Sequence, residues 1–380
     1  MVFSVYKRVV YKFASIFVFI MVLLFLQPNA HAISPSHEES SDLDIGGMII
    51  DHVVNSYEWH IVTIKGKHYS IPLPIIIIDR GGVHIFSSKH FHHGQESYMG
   101  YAICQEKGLK KGRIIKVDEL GNRDMSAFFV DISITKNVLS LLFSIVLIAI
   151  LFISVAKGYK KRGVSSPKGI ARIIEPVILF VRDDIARSAI GRRYERYLPF
   201  LLTVFFFILI NNLLGLIPFF PGGANLTGNI SVTLVLAVFT FVITNVSGNR
   251  DYWKHIFNAP GVPWWLKIPI PLMPLVEVIG VFTKPIVLMI RLFANITAGH
   301  IICLGFISLI FIFGNMSAIA GFSMSPISVF FYIFMSVLEL LVAFIQAFVF
   351  TLLSAIYIGM AIEEHHHDTH EIKHSISEIK

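Results

Sequence analysis

Charge is scarce in this chain. Only 15% of its 380 residues are Asp, Glu, Lys or Arg, whereas 54% are hydrophobic and 33 are Phe. A soluble domain carries about 25% charged residues, so this composition excludes an ordinary soluble globule. Cysteine is almost absent. Cys104 and Cys303 are the only two, and Cys303 lies in an apolar run, so no disulfide framework is expected. The chain lacks a GxxxxGK[ST] phosphate-binding loop, and neither half of the sequence repeats the other. No cofactor site and no ordered set of metal ligands can be read from it.

What is present are long uncharged runs. Residues 137–156 form one, residues 197–249 are long enough for two spans, and residues 340–362 form another. A bilayer core needs about 20 apolar residues per helix. The expected fold class is an all-α polytopic membrane protein with five retained transmembrane helices. The last two are expected to be long and tilted, and a small exported N-terminal domain carries some β structure. The spans are expected near 137–156, 198–219, 230–247, 275–313 and 325–362. "GNMSAIAGFSMSP" is expected to separate the last two outside the membrane.

Residues 1–32 read as a secretory leader, with Lys7, Arg8 and Lys12 before an apolar core and "AHA" at its end. An uncleaved anchor is the alternative. Cleavage would lower the net charge from +7 to +4, since three cations and no acids leave. The positive balance then concerns membrane orientation and gives no sign of nucleic-acid binding. Residues 33–136 are polar, hold eight of the sixteen His, and contain strand-like runs, "EWHIVTI" and "IPLPIIIID". "HFHHG" within them is read as a solvated loop in preference to a metal site. Residues 137–362 form the membrane domain, and residues 363–380 a His-rich tail.

Between residues 157 and 196 there are eleven Lys or Arg against four Asp or Glu. Such a surplus beside a span marks the cytoplasmic side. Counting crossings from there places the N-terminus outside and the C-terminus in the cytoplasm. "IARIIEPVILFVRDDIA" is amphipathic and is expected to lie along the membrane surface. "APGVPWWLKIPIPLMP" is too rich in proline for one helix.

Ionisable groups inside a membrane are costly, and function or pairing must offset them. Arg291 is the only Asp, Glu, Lys or Arg between Lys284 and Glu339. Glu277, Lys284 and Arg291 are seven apart and form one slowly drifting helical stripe. Asn295 stays near it, and small Ala298 and Gly299 follow. His300, nine residues beyond Arg291, falls on the opposite face, roughly 13 Å higher. The last span runs the other way. Glu339 lies in its outer part at the depth of His300, and Gln346, seven residues deeper, comes to about the level of Arg291. His titrates near neutrality and a buried carboxyl can be raised toward it, so His300 with Glu339 suits an outer proton relay. Glu277 suits an inner acceptor. Arg291 cannot deprotonate and would divide the two. The alternative is a packing role in which Arg291 neutralises Glu339 or Glu277.

"KPIVLMIRLFANITAGH", "QAFVFTLLSAIYIGMAIEEH" and "NNLLGLIP" with Asn212 resemble subunit a of the F-type ATP synthase over roughly residues 166–364. The resemblance implies a stator subunit beside a rotating c-ring, with two proton half-channels and Arg291 facing the ring carboxylate. It implies Asn295 and Gln346 beside that arginine, Glu277 on the inner path, and His300 and Glu339 as the outer pair. Many bacterial members carry an acid and a His at the last two positions in the reverse order. The implied partners are the c-ring, the subunit b stalk, the remaining synthase subunits and the lipid bilayer. The implied location is the bacterial cell membrane. A non-catalytic subunit follows, with ATP chemistry left to partners. A secondary ion-coupled transporter would instead show broken helices and related halves, and a structural scaffold would tolerate loss of Arg291.

Overall fold

The computed structural model describes residues 55–64, 67–104, 112–118, 124, 128–162, 168–217, 222–257 and 272–363. The expected leader, the His-rich tail beyond Glu363 and most of the proline-rich stretch lie outside the described residues.

The N-terminal part is built from short strands, as its β-branched runs require. β1 (Glu58–Ile64) and β2 (Lys67–Pro72) form an antiparallel hairpin. β3 (Pro74–Asp79) is flanked by β4 (Gly82–Ser87) and β7 (Phe129–Asp131), both antiparallel to it. β5 (Tyr101–Ile103) pairs with β6 (Ile114–Lys116). The period of two puts Ile75 and Ile77 in the core with Phe86, Phe91 and Tyr101. "HFHHG" exposes His90 and His92, as the expected solvated loop does. It lies in a 3₁₀ turn, Ser88–Gly94, pinned by Phe91, which is fully buried and packs edge-on against Phe86. One aromatic among the histidines is enough to anchor the turn.

Asp79 ties three strands together. Its carboxylate accepts from Tyr101 Oη at 2.7 Å, from Lys116 Nζ at 3.1 Å and from the Gly81 amide at 2.7 Å. The Tyr101 hydroxyl and then the Lys116 ammonium hold it well below the usual carboxylate range. Burial and Asp79 together push Tyr101 up to about 12.

α1 (Lys136–Arg162) follows at once, and its first turn is capped by the β part. Lys136 N–H donates to the Ser56 carbonyl and Asn137 N–H to Asn55 Oδ1, while Asn55 Nδ2 donates to Thr135 Oγ1. These satisfy donors that a helix start otherwise leaves unpaired.

The amphipathic segment is α2 (Ala171–Phe180), continued by a π-helical stretch Val181–Arg187 and a last turn Ser188–Ile190. Val181, Ile185 and Ala186 are fully buried in the main apolar cluster, so one face of the segment rests on protein, while Ile170, Ile173 and Leu179 stay exposed. Gly191, at φ +71°, breaks the path before α3 (Tyr194–Leu216). That left-handed conformation is open to glycine at little cost. α3 is the buried centre of the bundle. Phe205 and Phe206 meet Phe152, Phe180 and Phe344 edge to face, which accounts for part of the abundant phenylalanine.

α4 (Ile230–Ser247) and the short α5 (Arg250–Phe257) lead to two helices of 45 residues each, α6 (Leu272–Met316) and α7 (Ala318–Ile362). At ~1.5 Å per residue each is about 68 Å long, roughly twice a hydrocarbon core. Among the described residues five helices are long and apolar enough to cross a membrane, one at each of the five expected spans. The expected separator at 314–326 is corrected. Only Ser317 is non-helical there; its hydroxyl caps Ala320 N–H, and Gly321 packs on Gly314 so closely that a Cβ would lie 2.8 Å from the Gly314 Cα. A cap and two glycines turn the chain in one residue.

Candidate functional site

α6 and α7 are antiparallel and packed along their length. Two contacts fix their register. Near the turn, His300 Nδ1 is hydrogen-bonded to Glu339 Oε1. Farther from it, Lys284 Nζ stands 5.4 Å from the centre of the Tyr357 ring. Each step forward on α6 is a step back on α7, so this register sets Gln346 level with Ala294, between Arg291 and Asn295 in height.

The His300–Glu339 pair is enclosed. The side chains are 16% exposed for His300 and 7% for Glu339. Glu339 Oε2 accepts from Cys303 Sγ at 3.3 Å. Two glycines make the room. A Cβ at Gly299 would lie 3.1 Å from Glu339 Oε1, and one at Gly215 of α3 would lie 3.7 Å from the His300 ring. Asn212 joins the neighbouring elements by donating to the Ala343 carbonyl at 3.1 Å and accepting from Thr227 Oγ1 at 2.6 Å.

Arg291 is placed differently. It and Asn295 lie on an exposed face of α6, while Leu288, Leu292 and Ile296 turn inward. Among the described residues Arg291 makes no hydrogen bond or ion pair. Gln346 is buried, and no hydrogen bond links it to Arg291 among the described residues. Glu277 is half-buried at the other end of α6. Along the helix it is roughly 21 Å from Arg291 and 35 Å from His300. The structure therefore joins His300 to Glu339, keeps Glu277 apart, and leaves Arg291 between them facing outward.

Comparison with known proteins bears on this arrangement. A family described as ATP synthase A chain matches residues 138–359. The chain belongs to this family. It is a multi-pass membrane protein and a proton-translocating subunit of the membrane sector of an ATP synthase. It is similar to ATP synthase subunit a of Chloroherpeton thalassium, at 43% identity over 63% of this chain and 70% of the relative. ATP synthase subunit a of Pelodictyon phaeoclathratiforme is 47% identical over 64% and 69%. That of Myxococcus xanthus is 46% identical over 64% and 78%. Residues 48–133 match a domain family of unknown function.

Sequence reasoning missed Cys303, Gly215 and the Asn212–Thr227 bond. A cysteine in an apolar run reads as a small hydrophobe, and glycines on two different helices reveal their shared space only after packing.

Proposed function

We propose that protons enter the membrane sector through an outer half-channel containing His300 and Glu339, ride the carboxylate of a rotating c-ring, and leave past Glu277. Arg291 stands between the half-channels and draws the proton off the passing carboxylate. Asn295 shares its ring-facing surface, and Gln346 backs it from α7. The observation that carries this reading is the outward-facing Arg291, without an ion pair among the described residues, between two separated titratable sites. A packing role for Arg291 finds no support in that arrangement. A lone Arg at the centre of a span costs about 3 kcal/mol on insertion scales, which a partner carboxylate would offset. Unbroken α6 and α7 speak against a secondary transporter.

The subunit is non-catalytic and works with the c-ring, the subunit b stalk and the remaining synthase subunits. It sits in the bacterial cell membrane with its N-terminus outside and its tail in the cytoplasm. Residues 1–32 are a leader, 33–136 an exported domain, 137–362 the channel domain and 363–380 the cytoplasmic tail.

The test is proton flux in vesicles carrying the assembled membrane sector, with ATP synthesis followed in parallel. Arg291→Ala is expected to stop synthesis and to open a passive leak. Near-normal synthesis in that variant would overturn the reading.

A further inference from the structure

Glu339 has two carboxylate oxygens, and the two are treated differently. Oε1 meets His300 Nδ1, whereas Oε2 accepts from Cys303 Sγ at 3.3 Å. Cys303 is one helical turn beyond His300 on α6, so the two side chains approach the same carboxylate from one wall. The thiol is buried and unpaired with the other cysteine. Gly299 beneath the carboxylate leaves no side chain there to hold it, since a Cβ would already crowd Oε1. The orientation of Glu339 therefore rests on the donors around it.

We propose that Cys303 is a positioning residue of the outer relay: its S–H holds Oε2 so that Oε1 is the oxygen that exchanges a proton with His300. This rests on the reading of His300 and Glu339 as the entry path. A carboxylate free to rotate about its terminal torsion would present either oxygen, since that torsion is broad and two-fold. A thiol is a weak donor, but in this enclosed site few groups compete with it. The other elements add no rival charge. α4 carries no ionisable residue, and the Glu and Arg of α3 lie in its first turn, far from Gly215. His300 and Cys303 are the titratable side chains that meet Glu339 among the described residues.

Serine and alanine differ at this position by one hydroxyl and little volume, so they separate donation from packing. In vesicles carrying the assembled complex, Cys303→Ala is expected to slow proton entry several-fold. It should also change the pH profile of entry, since the carboxylate loses one of its two donors. Cys303→Ser is expected to restore both. Identical behaviour of the two variants, or a wild-type rate and pH profile in Cys303→Ala, overturns the proposal. Glu339→Gln distinguishes failure of the underlying reading. If it leaves proton entry intact, Glu339 is not in the path and the role of Cys303 falls with it. If it blocks entry while Cys303→Ala changes nothing, only the thiol proposal fails.

Discussion

At the scale of single residues, magnitude favours an electrostatic role for Arg291. A unit charge ~4 Å from a carboxylate, at an effective dielectric near 20, is worth about 4 kcal/mol, close to three decades in proton affinity. ATP synthesis is expected to fall on the order of 1000-fold in Arg291→Ala. Arg291→Lys keeps the charge but loses the planar fork and the permanent protonation, so it is expected to lose most synthesis without the leak. Comparing the two by flux in vesicles separates charge from barrier; wild-type synthesis in Arg291→Lys would show that the fork is dispensable. For the His300–Glu339 pair, His300→Ala is expected to slow proton entry roughly 100-fold, the scale of a lost general acid–base group. The exchange His300→Glu with Glu339→His should recover part of it. No recovery in a complex that still assembles would remove the relay. The pair was legible in the sequence because helical angle and rise alone bring residue 300 of one span level with residue 339 of an antiparallel neighbour. The bond from Cys303 was not, because which of several inward residues reaches a carboxylate depends on rotamers and on the room left by Gly299 and Gly215.

At the scale of elements, the runs of uncharged residues gave the spans, since few other structures can cross a bilayer with their backbone satisfied. The turn between α6 and α7 escaped this reading. Gly314, Asn315, Ser317, Gly321, Ser323 and Pro326 are individually loop formers, yet all but Ser317 lie in helices. Packing overrode propensity because Gly314 and Gly321 let the two backbones touch. Gly321→Ala should therefore splay the hairpin and cost roughly 1–3 kcal/mol, the usual range for overpacking. A lower melting temperature of the purified protein is the expected readout; an unchanged value would mean that the turn yields freely. In the β part, Asp79 offers a pH test. Its folded pKa is depressed, so its stabilisation is complete above the unfolded value of about 4 and fades as pH falls from there toward the folded value. Amide protection of β3 and β4, corrected for intrinsic exchange, should drop on acidification in the wild type. In Asp79→Asn it should be low already at neutral pH and vary less. Equal acid sensitivity in both would assign the effect to another group.

At the scale of the whole molecule, the charge pattern makes a directional claim. Single cysteines at Ser41 and Ser375, placed in a background without Cys104 and Cys303, should label from opposite sides of intact cells. Labelling of both from one side would contradict an odd number of spans. Little else about the whole is free to vary, since α7 contacts α3, α4 and α6 together.

The join between the β part and α1 has a mechanical consequence. Asn55 and Ser56 cap the amides of Lys136 and Asn137, and the Lys136 ammonium stands 6.0 Å from the centre of the Trp59 ring. There is no slack tether between the two. A sideways force on the β part is delivered to the end of α1 as a lever arm would deliver it, and α1 leans on α3. A load on the β part thus reaches the helical bundle undiminished, as a bracket carries load into its frame.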